Sequence, residues 1–194
     1  MILPIVAYGD SVLRKVAHDV TPEYFKDNNV IQDMFDTMYK AHGVGLAAPQ
    51  VGLDIRLFIV DVSPFADDED LPKQAQEELK NFKKVFINPT IIKEEGDEWA
   101  FNEGCLSIPD VREDVYRKRI VTIEYFDEKF QKFTETYNGL IARVIQHEYD
   151  HIEGVLFTDR LSALKKRLIS KRLNNIMMGK INPEYKMKFP NIKK

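Results

Sequence analysis

The apolar positions of this chain follow two spacings, and each spacing predicts one kind of element. Alternation of apolar and polar residues, rich in β-branched and aromatic side chains, predicts strands. Asp127-Glu128-Lys129 lies between the last two such runs and predicts a hairpin turn. The predicted strands are residues 2–7, 56–62, 85–92, 119–126 and 130–137.

Helical spacing appears near both ends of the chain. Residues 30–41 predict a helix whose core-facing stripe is formed by Ile31, Met34, Phe35 and Met38. Residues 161–178 predict a C-terminal helix whose apolar side is formed by Leu161, Leu164, Leu168 and Ile176. Asp10 is placed to cap a short helix over residues 11–17.

A third helix is predicted within residues 138–154, NGLIARVIQHEYDHIEG. Leu140, Val144 and His147 follow helical spacing, no Gly or Pro interrupts residues 140–153, and Gly154 is a plausible stop. Strands followed by a long helix predict an α+β fold.

Two polar stretches divide the chain. Residues 63–84 predict an exposed, floppy insertion with a helical turn near residues 74–79. Residues 165–194 hold ten lysines and arginines against one acidic residue, Glu184, which predicts a solvated helix face and a loose basic tail. We therefore expect a domain over residues 1–160 and an appendage over residues 161–194.

Composition narrows the function classes. The net charge is −3, so no general affinity for nucleic acid, and no DNA partner, is expected. Cys105 is the single cysteine, which excludes an internal disulfide and suits a reducing cytosol. No apolar run reaches membrane-span length, and the first residues lack the basic start of a signal peptide. We expect a cytoplasmic protein without a membrane partner.

The central helix carries candidate chemistry in His147-Glu148-Tyr149-Asp150-His151. Residues four apart share a helix face, so His147 and His151 can coordinate one metal ion. Glu148 would then lie beside the ion and move protons for a water molecule. The alternative is an amphipathic core helix with two incidental histidines.

A catalytic site of this kind needs a third protein ligand and one open position. No histidine follows His151, Glu153 faces another side of the helix, and Glu184 lies in the basic tail. Cys105 is the better candidate, because a thiolate is a strong ligand for zinc or iron. A lone cysteine is otherwise most often a small buried apolar residue.

Three segments together resemble the signature motifs of the peptide deformylase family. They are GVGLAAPQ at 43–50, EGCLS at 103–107 and QHEYDH at 146–151, in the family's order. The segment GDSVLRKVA at 9–17 also looks like that family's N-terminal region, so the resemblance covers about residues 1–160.

The resemblance implies an activity and the residues that perform it. Members remove the formyl group from N-formylmethionine on new polypeptides, using Fe(II) that Zn, Ni or Co can replace. The ligands would be Cys105, His147 and His151, and Glu148 would be the general base and then the acid. Gln50 and the backbone N–H of Leu106 would stabilise the oxyanion.

The resemblance also implies a fold and a substrate pocket. The fold has antiparallel sheets packed around a central helix that bears HExxH, here followed by a C-terminal helix. Gly45 and Gly104 would let the backbone pair with an extended peptide. Helical spacing separately places Val144 and Arg143 beside His147, so Val144 is expected to line an apolar slot for the methionine side chain with Val44, Phe101 and Leu140. Arg143 is expected to snorkel at the rim of this slot, or else to be purely exposed. The predicted substrate-binding residues are Val44, Gly45, Phe101, Glu103, Gly104, Leu140, Arg143 and Val144.

Alternative functions are a zincin-type metallopeptidase, a non-catalytic protein that binds formylated peptide ends, and a structural metal site. The position of the histidines argues against the first, and the presence of Glu148 and Gln50 argues against the second. A structural site would be closed by a fourth protein ligand. Nascent formylmethionyl polypeptides are the expected partners, and the basic tail suggests contact with the ribosome.

Overall fold

An antiparallel sheet and a central helix form the core of the computed structural model, which describes residues 1–190. The strands are β1 (Ile5–Val6), β2 (Gly45–Ala47), β3 (Leu57–Asp61), β4 (Lys83–Cys105), β5 (Ile108–Phe126), β6 (Lys132–Asn138) and β7 (Met187–Lys188). The helices are α1 (Val30–Lys40), α2 (Lys73–Lys80), α3 (Gly139–Ile152) and α4 (Ala163–Met177). Short 3-10 helices lie at Ser11–Arg14, Pro22–Phe25, Ala48–Val51, Ser63–Asp67 and Phe157–Arg160.

Five strands pair in the order β2-β3-β4-β5-β6, and every pair is antiparallel. The predicted α+β fold is confirmed, with one difference: β1 pairs with β7 in a separate, parallel ribbon. The predicted strands 85–92 and 119–126 are parts of the much longer β4 and β5. A register shift between Ile87 and Thr90 lies at Pro89, which has no N–H to donate to the ladder.

The sheet wraps α3, which lies among β2, β3, β5 and β6. The helix ends as expected: Gly154 has a φ of +71°, the N–H of Val155 donates to the Asp150 carbonyl at 2.9 Å, and the N–H of Gly154 donates to the His151 carbonyl at 3.3 Å. This is a Schellman cap. A Cβ at Gly154 would also lie 2.7 Å from the Arg14 carbonyl oxygen. Both the positive φ and the lack of space for a side chain therefore require glycine there.

Helix α1 has the predicted core stripe. Met34, Phe35 and Met38 are buried in a cluster with β2, β3 and β4, while Ile31 is half-buried at its edge. The short element after Asp10 is a 3-10 helix of four residues, Ser11–Arg14, and Asp10 caps it by accepting from the Val12 N–H.

Residues 63–84 are more ordered than predicted. They form the 3-10 helix Ser63–Asp67 and α2, which extends the expected helical turn by one residue at each end. Leu79 and Phe82 are buried in the main core, and Phe65 and Leu71 are half-buried against it. The prediction of a floppy insertion is therefore wrong, because its few apolar residues anchor it.

The C-terminal helix is present, but two residues of its predicted apolar side are exposed. Leu161 and Ile176 are buried as expected, whereas Leu164 and Leu168 are 68% and 70% exposed. The buried face of α4 is formed instead by Ile169, Leu173 and Ile176.

The prediction of a loose tail is also wrong for residues 181–190. The segment returns to the N-terminus, where β7 pairs with β1, and its side chains alternate between half-buried and exposed. Residues 191–194 of the predicted tail lie outside the described residues. No helix within residues 1–190 is long and apolar enough to span a bilayer.

Candidate active site

Three potential metal ligands meet where the end of β4 approaches α3. One donor atom from each of Cys105, His147 and His151 lies within 4.8 Å of the other two. Helical spacing brings the histidines together, and the end of β4 supplies the thiol, whose Sγ lies 3.3 Å from His151 Nε2. One soft thiolate and two imidazoles suit a zinc or iron ion, so the donor set fits the metal that the motifs imply.

Glu103 fixes the orientation of the His147 ring. The Nδ1–H of His147 donates to Glu103 Oε2 at 3.0 Å, which leaves Nε2 with its lone pair for a metal. Burial alone would raise the pKa of Glu103, but hydrogen bonds from His147 and Arg117 outweigh it and hold the pKa well below its usual range. Glu103 is therefore a carboxylate, as this contact requires.

Glu148 projects from α3 toward the same space. It is buried, and its Oε2 has no hydrogen-bond partner within the described residues. Burial raises the pKa of Glu148 to about 7. A carboxyl with such a pKa can both accept and return a proton near neutral pH.

Gly45 makes room for that carboxyl. A Cβ at residue 45 would lie 2.8 Å from both Cγ and Cδ of Glu148, closer than real side chains approach. The helix α3 fixes the backbone of Glu148, so any larger residue at position 45 would have to displace the Glu148 carboxyl group. This is a physical reason for the second glycine of GVGLAAPQ.

The Gln50 amide is aimed at the site by its own loop. The Ala47 N–H donates to Gln50 Oε1 at 2.9 Å, so the NH₂ group points the other way, toward Cys105 Sγ and Ser107 Oγ, each 3.4 Å away. Gln50 is buried as well. Leu106 follows Cys105 directly in the turn between β4 and β5.

A network of buried charges lies behind the histidines. Arg117 donates to both oxygens of Glu103, at 2.7 and 3.0 Å, and to Asp150 at 2.7 Å. Arg160 donates to both oxygens of Asp150 at 2.6 Å. Arg117, Asp150 and Arg160 are thus supports of the site that the sequence alone does not predict. Asp150, the Asp of QHEYDH, is the one signal in the sequence, because an acidic residue on a buried helix is rarely without a cationic partner.

Arg143 belongs to this network, so its predicted place at a solvated rim is wrong. It is 1% exposed, and its guanidinium donates to Glu103 Oε1 at 2.9 Å and to the Val115 and Trp99 carbonyls at 3.0 and 2.6 Å. It also lies 4.5 Å from the Trp99 ring centre. Glu103, predicted to bind substrate, uses its oxygens for Arg117, Arg143 and His147.

A cavity of about 430 Å³ is lined by Cys105, His147 and Glu148. Of the predicted substrate-binding residues, Leu140 lies outside its lining and packs half-buried against the core. The cavity is lined by the other seven, namely Val44, Gly45, Phe101, Glu103, Gly104, Arg143 and Val144.

Two further lining residues, Phe65 and Tyr185, come from segments that the sequence analysis interpreted as floppy or loose. Phe65 meets Phe101 edge to face, with ring centres 6.3 Å apart. The signal for Tyr185 was the strict alternation of Ile181, Pro183, Tyr185, Met187 and Phe189 with polar residues.

Comparisons with known proteins agree on one family. The family described as polypeptide deformylase matches residues 2–167. The peptide deformylase of Flavobacterium johnsoniae is 66% identical over 194 residues, covering 100% of this chain and 99% of its own. The peptide deformylase of Cytophaga hutchinsonii is 54% identical over 190 residues, covering 98% of each chain.

Solved structures give the same result. The peptide deformylase of Legionella pneumophila is 36% identical, with a TM-score of 0.75, over 93% of this chain and 98% of that one. The Plasmodium falciparum peptide deformylase, solved with an inhibitor, is 33% identical, with a TM-score of 0.74, over 89% and 98%. This chain therefore belongs to the peptide deformylase family of metal-dependent hydrolases.

Proposed function

We propose that this chain removes the formyl group of N-formylmethionine with a metal held by Cys105, His147 and His151, and with Glu148 as the proton carrier. The observation that carries this assignment is the meeting of three donor atoms within 4.8 Å, beside the buried and unpartnered Oε2 of Glu148. Within residues 1–190 the cluster has three such ligands, which favours an open catalytic position over a closed structural site.

The proposed chemistry uses the residues around the ligands. A bound divalent metal would polarise the formyl carbonyl and lower the pKa of a water molecule. Glu148 accepts the proton of the water that attacks the formyl carbon, and returns it to the amine as the C–N bond breaks. The Gln50 NH₂ group and the Leu106 N–H donate to the oxyanion that forms on the carbonyl oxygen. Formate and the free N-terminus leave.

The peptide lies along the cavity as an added strand. Gly45 in β2 and Gly104 in β4 border the cavity, where their backbone groups are placed to pair with an extended peptide. The methionine side chain enters the slot formed by Val44, Phe101 and Val144. Because nascent formylmethionyl chains are made in the cytoplasm, we propose that this protein works there.

Replacing Val144 with tryptophan should separate formylmethionine from smaller substrates. Val144 is buried at the cavity wall, so a bulky ring there would fill the slot. We expect KM for formyl-Met-Ala to rise much more than KM for formyl-Ala-Ala, which serves as the matched control. Equal changes in the two KM values would show that Val144 does not line the methionine slot.

We propose Fe(II) as the resident metal, with Ni(II), Co(II) and Zn(II) as substitutes. Zinc binds such a site more tightly than Fe(II) in the general order of affinities, so iron occupancy would reflect supply. Cys105, His147 and His151 would hold the ion, and Fe(II), Co(II) or Ni(II) would serve as a Lewis acid that accepts further ligands more readily than zinc. The cost is sensitivity to oxygen, both at iron and at the Cys105 thiolate.

Loading the apo-protein with each metal tests the site and the metal preference together. We expect high kcat/KM on formyl-Met-Ala for anaerobic Fe(II), decaying in air, stable activity for Ni(II), and weak activity for Zn(II). Cys105→Ser should bind iron poorly, since serine stays protonated near neutral pH. A zinc form as active as the iron and nickel forms would refute the metal preference. Full metal binding by Cys105→Ser would refute the ligand set.

We also propose that the basic face of α4 contacts ribosomal RNA phosphates. Lys166, Arg167, Lys171 and Arg172 are exposed on this helix, whereas Lys165 is paired with Glu113 at 3.0 Å. Charge reversal of Lys166 and Lys171 should weaken co-sedimentation with ribosomes at low salt and spare peptide deformylation in solution. Reversal of Lys93, which is exposed on β4 and not on α4, is the control. Equal binding by the α4 variant and wild type would remove the proposal.

A further inference from the structure

The turn between β4 and β5 presents two of the proposed site groups at once. Cys105 ends β4 and pairs with Ile108, so Leu106 and Ser107 form a two-residue connection. Such connections favour turns with positive φ, because these match the twist of the paired strands. Neither Leu106 nor Ser107 has a positive φ. The turn is therefore not held by its local geometry alone.

Contacts from three distant segments hold this turn. The Tyr185 hydroxyl donates to the Leu106 carbonyl at 2.7 Å, and the Tyr8 N–H donates to the Ser107 carbonyl at 2.8 Å. The Gln50 amide donates to Ser107 Oγ at 3.4 Å. Of the three, the contact from Tyr185 is made to Leu106 itself, whose N–H is a proposed oxyanion donor.

Tyr185 is held by backbone pairing on its C-terminal side. The Ile5 N–H donates to the Lys186 carbonyl, and the Ala7 N–H donates to the Lys188 carbonyl, both at 2.9 Å. The Tyr185 ring is half-buried against the cluster that contains Ile5, and it borders the cavity. Tyr185, which is 79 positions from Leu106 in the sequence, is therefore held in place where its hydroxyl contacts the turn.

We propose that Tyr185 is a positioning residue for deformylation: its hydroxyl fixes the turn that presents the Leu106 N–H to the reacting carbonyl. This inference rests on the proposed role of Leu106. Without the hydrogen bond from Tyr185 to the Leu106 carbonyl, the peptide units on both sides of the Leu106 Cα can rotate. The Leu106 N–H is then no longer fixed in the direction of the reacting carbonyl. Oxyanion donors act through fixed placement, so a loosened donor loses effect in the transition state rather than in substrate binding.

Tyr185→Phe tests the proposal, because it removes the hydroxyl and keeps the ring. We expect kcat on formyl-Met-Ala to fall about tenfold, with KM within twofold and metal content unchanged. Hydrogen exchange of the peptide spanning residues 104–108 should become faster. The matched control is Tyr125→Phe, which removes a hydroxyl bound to Glu135, away from the cavity, and should leave kcat and exchange at the turn unchanged.

Wild-type kcat and wild-type exchange at the turn in Tyr185→Phe would overturn the proposal. An equal loss of kcat in Tyr125→Phe would overturn it too, since the effect would then be general loosening. Gln50→Ala separates this failure from a failure of the oxyanion assignment. If Gln50→Ala loses kcat and Tyr185→Phe does not, only the positioning role is wrong. If Gln50→Ala keeps wild-type kcat, Gln50 is not an oxyanion donor, and exchange at the turn still decides whether Tyr185 holds it.

Discussion

Replacing Glu148 with glutamine is expected to reduce kcat by about 10²–10⁴-fold while the metal stays bound. The Glu148 carboxyl has a pKa raised to about 7 by burial, and its Oε2 is unpartnered within residues 1–190. The glutamine amide has nearly the same shape but cannot accept the proton of the attacking water. Because Glu148 is not one of the proposed ligands, metal content should be unchanged, as measured in the same sample by elemental analysis.

Glu153→Gln is the matched control for this prediction. Glu153 caps the same helix, but its carboxylate pairs with Arg56 at 2.6 Å on the outer side of α3, and it does not line the cavity. We expect kcat for this variant near the wild-type value. If Glu148→Gln retains turnover within a few-fold of wild type with metal bound, Glu148 is not the proton carrier.

Local periodicity is sufficient to predict α3, the helix that carries two of the proposed metal ligands. The i, i+4 spacing of His147 and His151 places both rings on one face whatever surrounds the helix, and Gly154 marks its end. Cys105 could be predicted as a candidate from thiolate chemistry alone. Its approach to His151 depends on how β4 packs, which no local pattern encodes.

Arg143 and Glu103 show where local reasoning stops. A charged residue on an otherwise apolar helix is usually at a surface, which led to the rim prediction for Arg143. The partners that allow its burial are 28 to 44 residues away in the sequence, in β4 and β5. Such pairings follow from the register of the sheet, and a single sequence does not fix that register.

In the tail, a local strand signal is present in the sequence, although the excess of lysines and arginines predicts a loose segment. Residues 181–189 alternate apolar and polar side chains as a strand does, and β7 lies within them. In α4, the i, i+4 pair Leu164 and Leu168 shares one face, but Ile169, Leu173 and Ile176 share another, and the second face is the buried one. The spacing of apolar residues identifies a face of the helix, but it does not show whether another element packs against that face.

Replacing Glu103 with glutamine is expected to destabilise the fold by about 3–5 kcal/mol, because it removes the counter-charge of buried Arg143 and one of the two carboxylates that neutralise Arg117. Glu103 is 4% exposed and accepts from Arg117 at 2.7 and 3.0 Å, from Arg143 at 2.9 Å and from His147 at 3.0 Å. The amide has one acceptor oxygen for these donors, and its NH₂ group would face them. Denaturant unfolding of the metal-loaded protein measures the loss.

Metal affinity should fall with stability in Glu103→Gln, by about 10–100-fold, because the His147 ring loses the carboxylate that orients it. The control is Glu135→Gln, which removes a carboxylate from the Lys84–Tyr125–Tyr137 cluster at a site 35% exposed on its side chain. There we expect about 0–1 kcal/mol, since solvent screens a surface pair. KM for formyl-Met-Ala in fully loaded Glu103→Gln distinguishes the two roles assigned to this residue. If Glu103 only supports the His147 ring, KM stays near the wild-type value. A raised KM with normal stability and normal metal affinity would show that Glu103 binds substrate, and would refute its role at the centre of the buried network.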